Sequence, residues 1–274
     1  HFDFEVDSNV AANSGSASDS IAQPKLAVVL GPWAETEVFL NYGRGFHSND
    51  ARGTTIRVDP TDGVTPVERV DPLVAADGAE IGVRSAAWPG LQVYGAFWGL
   101  DIDSELLFVG DGGITEPNRA SRRYGVELGA FWTPLDWLIV DVDYAWAHAR
   151  FRGNDPAGDY IPGAVEDVAS VGITVNRPDG WFGGARLRYF GEAPLIEDDS
   201  VRSDPTLLVN VEAGYRFSER LSAFVTVFNV FDADDNDITY FYESQLPGEA
   251  APMEDIHFHP VEPRTLRGTL TWRF

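Results

Sequence analysis

From Thr206 to Phe217 the chain reads TLLVNVEAGYRF, and apolar and polar positions alternate. Leu207, Val209, Val211, Ala213, Tyr215 and Phe217 point one way, and Asn210, Glu212, Gly214 and Arg216 point the other. Period two marks a strand with one apolar and one polar face. RRYGVELGAFW repeats it with Tyr124, Val126, Leu128, Ala130 and Trp132, and VDVDYAW with Val140, Val142, Tyr144 and Trp146. In WFGGARLRYF, Leu187 and Tyr189 flank Arg188, with Arg186 on the side of Arg188. The closing RTLRGTLTWRF sets Leu266, Gly268, Leu270, Trp272 and Phe274 against Arg267, Thr269, Thr271 and Arg273. Such a face is buried in a core in a water-soluble protein, or it meets lipid.

The pattern predicts about twelve strands, near 1–8, 25–31, 35–46, 78–88, 91–108, 121–132, 137–151, 166–176, 181–191, 206–217, 221–231 and 263–274. Most run roughly 9 to 14 residues, enough for a tilted strand to cross a bilayer and long for a sandwich strand. The connections sort into two kinds. GPWA (31–34), PG (89–90), TPLD (133–136), RPDG (177–180) and SER (218–220) are tight turns. Between them come long polar stretches at 9–24, 47–77, 109–120, 152–165, 192–205 and 232–262. Short and long alternate, so an antiparallel meander puts all tight turns at one end and all long loops at the other. Membrane barrels have that asymmetry, and Greek-key sandwiches give no reason for it.

The 274 residues suffice for one large domain or two small ones. No run approaches the roughly 18 to 20 apolar residues of a spanning helix. Cysteine is absent, which excludes disulfides and thiolate metal sites. The chain opens without Met or a signal peptide, on the strand-like HFDFEVD, and reads as a mature product or a C-terminal fragment.

Net charge is -23, which disfavours nucleic acid as a partner. The acid is localised. Asp232, Asp234, Asp235, Asp237, Glu243, Glu249, Glu254, Asp255 and Glu262 occupy 232–262 without a Lys or Arg, and 192–205 holds five acids against Arg202. Trp33, Trp88, Trp132, Trp137 and Trp181 lie beside tight turns, with Trp272 close to the end of the chain. A lipid interface gathers aromatics into such a girdle; the alternative is that they plug the base of a sandwich.

No HExxH or GxSxG accompanies the five histidines, and no cofactor motif appears, so the reading is not an enzyme. HFH at 257–259 puts His257 and His259 on one face of an extended segment, a spacing compatible with a metal ligand pair, but it reads as a loop-to-strand junction that happens to hold two histidines, and no metal site is expected there. DADDNDITYFYE (232–243) matches a calcium loop at positions 1, 3, 5 and 12 but lacks its Gly and its helices, leaving weak divalent binding as the expectation.

TEVFLNYGRGFHSNDAR (36–52), VFNVFDADDND (227–237) and HFHPVEPRTLRGTLTWRF (257–274) resemble the C-terminal barrel of TonB-dependent outer-membrane receptors. HFDFEVDSN and PKLAVVLGPWAETEVFLNYGRGF look like mid-barrel strands of that family, so the resemblance spans essentially the whole chain. It implies an all-β, antiparallel up-and-down barrel meander, residues 1–274 being the C-terminal part of a barrel of about 22 strands with a plugged lumen. It implies a receptor in the Gram-negative outer membrane that takes up a scarce, bulky nutrient, such as an iron–siderophore complex. The partners it implies are TonB, reached through a plug outside this sequence, the barrel-assembly machinery, outer-membrane lipids and a small-molecule ligand. Leu270, Trp272 and Phe274 resemble the family's barrel-assembly signal. The expected ligand loops are 47–77, 192–205 and 232–262, with Tyr240, Tyr242, His257 and His259 near the mouth. Gly43 and Gly45 are expected to bend the strand or admit a close neighbour, and FNVFD to shape a strand end. An autotransporter translocator, a passive porin-like barrel and a soluble carbohydrate-binding sandwich are the alternatives.

Overall fold

The computed structural model describes residues 1–60, 62–109, 114–117 and 119–274. In chain order its strands are β1 (Phe2–Val6), β2 (Gly15–Asp19), β3 (Lys25–Trp33), β4 (Thr36–Ser48), β5 (Leu73–Trp88) and β6 (Leu91–Ile102). There follow β7 (Leu106–Val109), β8 (Ile114–Pro117), β9 (Ser121–Leu135), β10 (Leu138–Phe151), β11 (Asp167–Asn176) and β12 (Trp181–Phe190). The last are β13 (Thr206–Arg216), β14 (Leu221–Phe228), β15 (Asn236–Ser244), β16 (Met253–Pro260) and β17 (Thr265–Trp272). A short helix, α1 (Ala51–Thr55), sits in the first long loop after β4.

Eleven strands form one antiparallel sheet in the order β17-β14-β13-β12-β11-β10-β9-β6-β5-β4-β3. It is an all-β meander. Each strand lies beside its chain neighbour except where the hairpins β7–β8 and β15–β16 project from long connections. Tight turns join β3 to β4, β5 to β6, β9 to β10, β11 to β12 and β13 to β14, as the sequence predicts. The β3–β4 turn places Ala34 and Glu35 at φ 49° and 58°, the left-handed pair that matches the twist of a hairpin. In the β5–β6 turn Gly90 has φ 71°, and a Cβ there would lie 2.6 Å from the Thr133 carbonyl oxygen.

Several expected boundaries need correction. The strand near 1–8 does not belong to the sheet: β1 pairs with β2, Phe2 opposite Asp19, in its own hairpin. Its five residues are too few to cross a bilayer. The strand expected at 91–108 ends at Ile102, and 106–109 starts the β7–β8 hairpin. The loop expected at 109–120 lies partly outside the described residues. The loop at 232–262 carries β15 and β16.

The alternation survives in the register. Trp132, Val140, Ile173, Ala185, Val211, Val227 and Leu266 are opposite one another in turn across seven strands, an unbroken apolar row. Leu30, Val38, Val83, Gly95 and Leu128 continue the band through the rest of the sheet. The face is exposed: Leu266 is 72% accessible and Ile173 45%. At about 25 cal/mol per Å² such a band is strongly unfavourable in water and favourable against lipid. Among the described residues no second sheet covers it, and Leu207, which a sandwich would bury, is exposed.

The opposite face is polar and paired. Arg84 donates to Glu37 at 2.6 Å, Asn41 to Glu80 at 2.7 Å, and Arg186 meets Asp141 at 2.9 Å. Glycines on this face accommodate neighbouring rings: a Cβ on Gly82 would overlap Phe39, and one on Gly129 would overlap Tyr94. The close approach expected at Gly43 and Gly45 is not found. A Cβ on Gly43 meets only the Lys25 side chain at 3.7 Å, and Gly45 faces open space. Trp33, Trp88, Trp132, Trp181 and Trp272 are exposed beside the tight turns. Trp137 departs from the girdle; it is half-buried, with the Arg177 guanidinium 5.3 Å from its ring.

Candidate ligand cleft at the long-loop end

Of the buried hydrophobic residues among those described, Leu73, Val74, Ala149, Phe151, Ile161, Ala193 and Leu195 lie at the long-loop end. Only Ala96, in the middle of β6, is a buried hydrophobic residue elsewhere among those described, and the loop-end cluster fixes the loops on one another. Phe151 and Ile161 pack together, 4% and 2% exposed, where the connection after β10 leaves the sheet. The backbone of Tyr160 donates to the Glu197 carbonyl at 3.0 Å, and that of Gly163 to the Pro194 carbonyl at 2.8 Å. Loops 152–166 and 191–205 are thereby tied.

Arginines reinforce the tie. Arg119 donates to Glu197 at 2.7 Å and to the Gly158 carbonyl at 2.9 Å, with its guanidinium 4.4 Å from the Phe151 ring. Arg202 meets Asp199, Glu192 and Glu166 at 2.5, 3.4 and 3.6 Å. Arg150 stacks over Tyr160 at 3.7 Å and pairs with Glu166 at 3.3 Å. Multivalent guanidinium pairing, partly shielded from water, orders loops more firmly than isolated surface pairs.

The third element of the cleft is the β15–β16 hairpin, whose base the FNVFD segment anchors. Asn229 is 3% exposed, at φ 47°. Its amide donates to the carbonyls of Ala233 at 2.9 Å and Glu262 at 3.1 Å, and its side-chain oxygen accepts from the Ala233 amide at 2.9 Å. The Asp232 carboxylate accepts from the Arg264 backbone at 3.0 Å and its guanidinium at 3.2 Å. Asp235 accepts from the Leu207 amide at 2.8 Å. Two acids of the calcium-like stretch are therefore engaged in holding the hairpin, and residues 236–244 are strand rather than ion-binding loop. Among the described residues no group of three His, Cys, Asp or Glu could hold a metal ion.

Between these elements lies a cleft of about 970 Å³. Its walls are Phe190, Ala193, Leu195, Ile196 and Pro162 on one side and the strand Asn236–Tyr242 on the other. Phe190 pairs with Thr206 in register and shares the polar face with Arg186 and Arg188, so the cleft adjoins the polar face of the sheet at its loop end. The volume falls within the range of small-molecule sites.

The four residues expected at the mouth come together on one face of the hairpin. Tyr240 is opposite His257, and Tyr242 is opposite Asp255. Tyr242 stacks on His257 at 3.9 Å, and Tyr240 meets His259 edge-on at 6.3 Å. Tyr240 and Tyr242 line the cleft; His257 and His259 stand behind them on β16 and do not. Of the loops expected to grip a ligand, 192–205 lines the cleft and 47–77 does not, while loop 152–165, which was not among them, supplies Ala157, Pro162 and Gly163. The available signal there was YIPG (160–163), an apolar cluster in polar surroundings.

Comparison with known proteins adds a lineage. The sequence model of a family described as "TonB dependent receptor-like, beta-barrel" matches residues 1–230. Among solved structures, the ferric yersiniabactin uptake receptor FyuA from Yersinia pestis superposes with a TM-score of 0.72 at 15% identity, over 95% of this chain and 38% of that one. The copper transporter OprC gives 0.72 at 17% identity, over 95% of this chain and 41% of that one. The ferric-catecholate import receptor Fiu from K12 E. coli, in its closed form, gives 0.63 at 20% identity, over 94% and 36%. At these identities the likeness concerns the fold, and this chain spans well under half the length of those structures.

Proposed function

This chain belongs to the TonB-dependent receptor-like β-barrel family, and we propose that it is the C-terminal part of the barrel of an outer-membrane uptake receptor. The sheet is one wall of a larger barrel of about 22 strands, its apolar band against lipid and its paired polar face lining the lumen. The protein is a transporter rather than an enzyme. It takes up a scarce, bulky nutrient, of the kind an iron–siderophore complex represents, with energy delivered from TonB through a plug in the lumen. Leu270 and Trp272 are exposed on β17 and Phe274 is exposed just beyond it, and in this proposal the three form the signal for the barrel-assembly machinery.

The observation that carries this reading is the cleft at the loop end, beside the polar face of the sheet, with Tyr240 and Tyr242 on its wall. A receptor must hold its ligand at the mouth before passing it through the lumen. The test is growth of a deletion strain on defined iron, cobalamin and glycan sources, with and without TonB. A defect on one source, reproduced by loss of TonB, supports the reading; parental growth on all of them rejects it for those ligands. Alanine at Tyr240, Tyr242, His257 and His259 is expected to weaken ligand binding while the amount of assembled barrel stays unchanged.

A further inference from the structure

The charged residues that line the cleft, among those described, are of one sign. Glu197, Asp198, Asp204 and Asp237 line it, and among the described residues no Lys, Arg or His does. Glu197 is neutralised by Arg119 at 2.7 Å. Asp198, Asp204 and Asp237 have no salt-bridge partner among the described residues, and the nearby Arg202 is already shared among three other carboxylates. The remaining walls are apolar and aromatic, and Phe190, Tyr240 and Tyr242 are among the residues that line them.

Resting on the uptake reading above, we propose that the cargo is an organic cation with a flat, apolar body. Three uncompensated carboxylates attract a positive charge and repel a negative one, and the low-dielectric walls focus that field. Aromatic faces add cation–π attraction, strongest once water is excluded. Among the described residues, no Lys, Arg or His lines the cleft to receive an anionic chelate. Most of the chain's acid excess lies in the long loops, so the field outside the mouth has the same sign and favours encounter with cations.

The full-length receptor, purified from outer membranes in detergent, tests this by titration with two bicyclic probes of matched size, 1-methylquinolinium and quinoline-2-carboxylate. The cation is expected to bind at least about tenfold more tightly than the anion. The double variant Asp204→Asn/Asp237→Asn is expected to weaken cation binding about five- to tenfold while leaving anion binding no weaker. Tyr240→Phe, which keeps the ring, should retain binding, and Tyr240→Ala should lose it; heat-modifiable migration on a gel confirms an assembled barrel for every variant. Equal or tighter anion binding, no binding of the cation, or an unchanged cation affinity in the double variant overturns the proposal. Coupler-dependent growth combined with anion preference would reject the charge class and keep the uptake reading. Cation-selective binding without TonB-dependent uptake would do the reverse.

Discussion

The Tyr242 ring lies parallel to the His257 imidazole, centroids 3.9 Å apart and planes at 16°. The two are diagonal across β15 and β16, so the stack holds the hairpin flat and fixes the face that Tyr242 turns towards the cleft. A ring pair of this kind contributes about 0.5–1.5 kcal/mol beyond its buried area. Tyr242→Ala is expected to speed amide hydrogen exchange in 236–244 and 253–260, and Tyr242→Phe to leave it near the parental rate. Equal exchange in both variants would show that the stack does not order the hairpin.

Asn229 connects the end of β14 to both sides of the hairpin base through Ala233 and Glu262. Replacing it with Ala removes three side-chain hydrogen bonds from a buried position and leaves a non-glycine residue at positive φ. The expected result is proteolytic cleavage within 229–264 of an otherwise assembled barrel, with a local cost of about 2–4 kcal/mol. Limited proteolysis of the variant in outer membranes reads this directly; unchanged resistance would contradict it.

Val171 faces the apolar side of β11, and Thr174 the polar side of the same strand. An Arg on the lipid face costs about 2–4 kcal/mol at the bilayer midplane, whereas one facing the lumen remains in water. Val171→Arg is therefore expected to reduce assembled barrel sharply and Thr174→Arg hardly at all, measured as the heat-modifiable fraction. The reverse order would put the faces the wrong way round.

Asp198 accepts a hydrogen bond from the Ser200 backbone at 2.9 Å, which holds its carboxyl below the usual aspartate range. The depressed value means that Asp198 stays charged to lower pH than an ordinary aspartate. Binding of a cation in the cleft is present at neutral pH and is lost as pH falls through the carboxylate range. Ser200→Pro removes that donor, and the loss should then begin at higher pH. A titration of 1-methylquinolinium affinity against pH in both proteins checks the order.

Much of this was legible because β9, β10, β13 and β17 alternate with few interruptions, such as Phe131 and Leu208 on the polar face, and because the register carries that alternation from strand to strand. Loop lengths then fixed which end is which. The extra hairpins were not legible. In β15, Ile238, Tyr240 and Tyr242 occupy one face while Phe241 occupies the other, so the period is blurred. β2 is GSASD, which has no apolar face and becomes a strand only by pairing with β1. The cleft needed the structure for a different reason. Pro162, Leu195 and Tyr240 meet through backbone ties and arginine bridges between loops far apart in sequence, and periodicity says nothing about such contacts.

The central claim is that this sheet crosses a membrane with alternate residues facing lipid and lumen. Because the chain has no cysteine, single cysteines placed in turn from Ile139 to Ala145 can be spin-labelled in the full-length protein in bilayers. Collision rates with oxygen and with a water-soluble nickel chelate then report each position. The account predicts a period of two, with 140, 142 and 144 oxygen-accessible and 139, 141, 143 and 145 chelate-accessible. Equal chelate access at all seven positions, or no alternation, would contradict it.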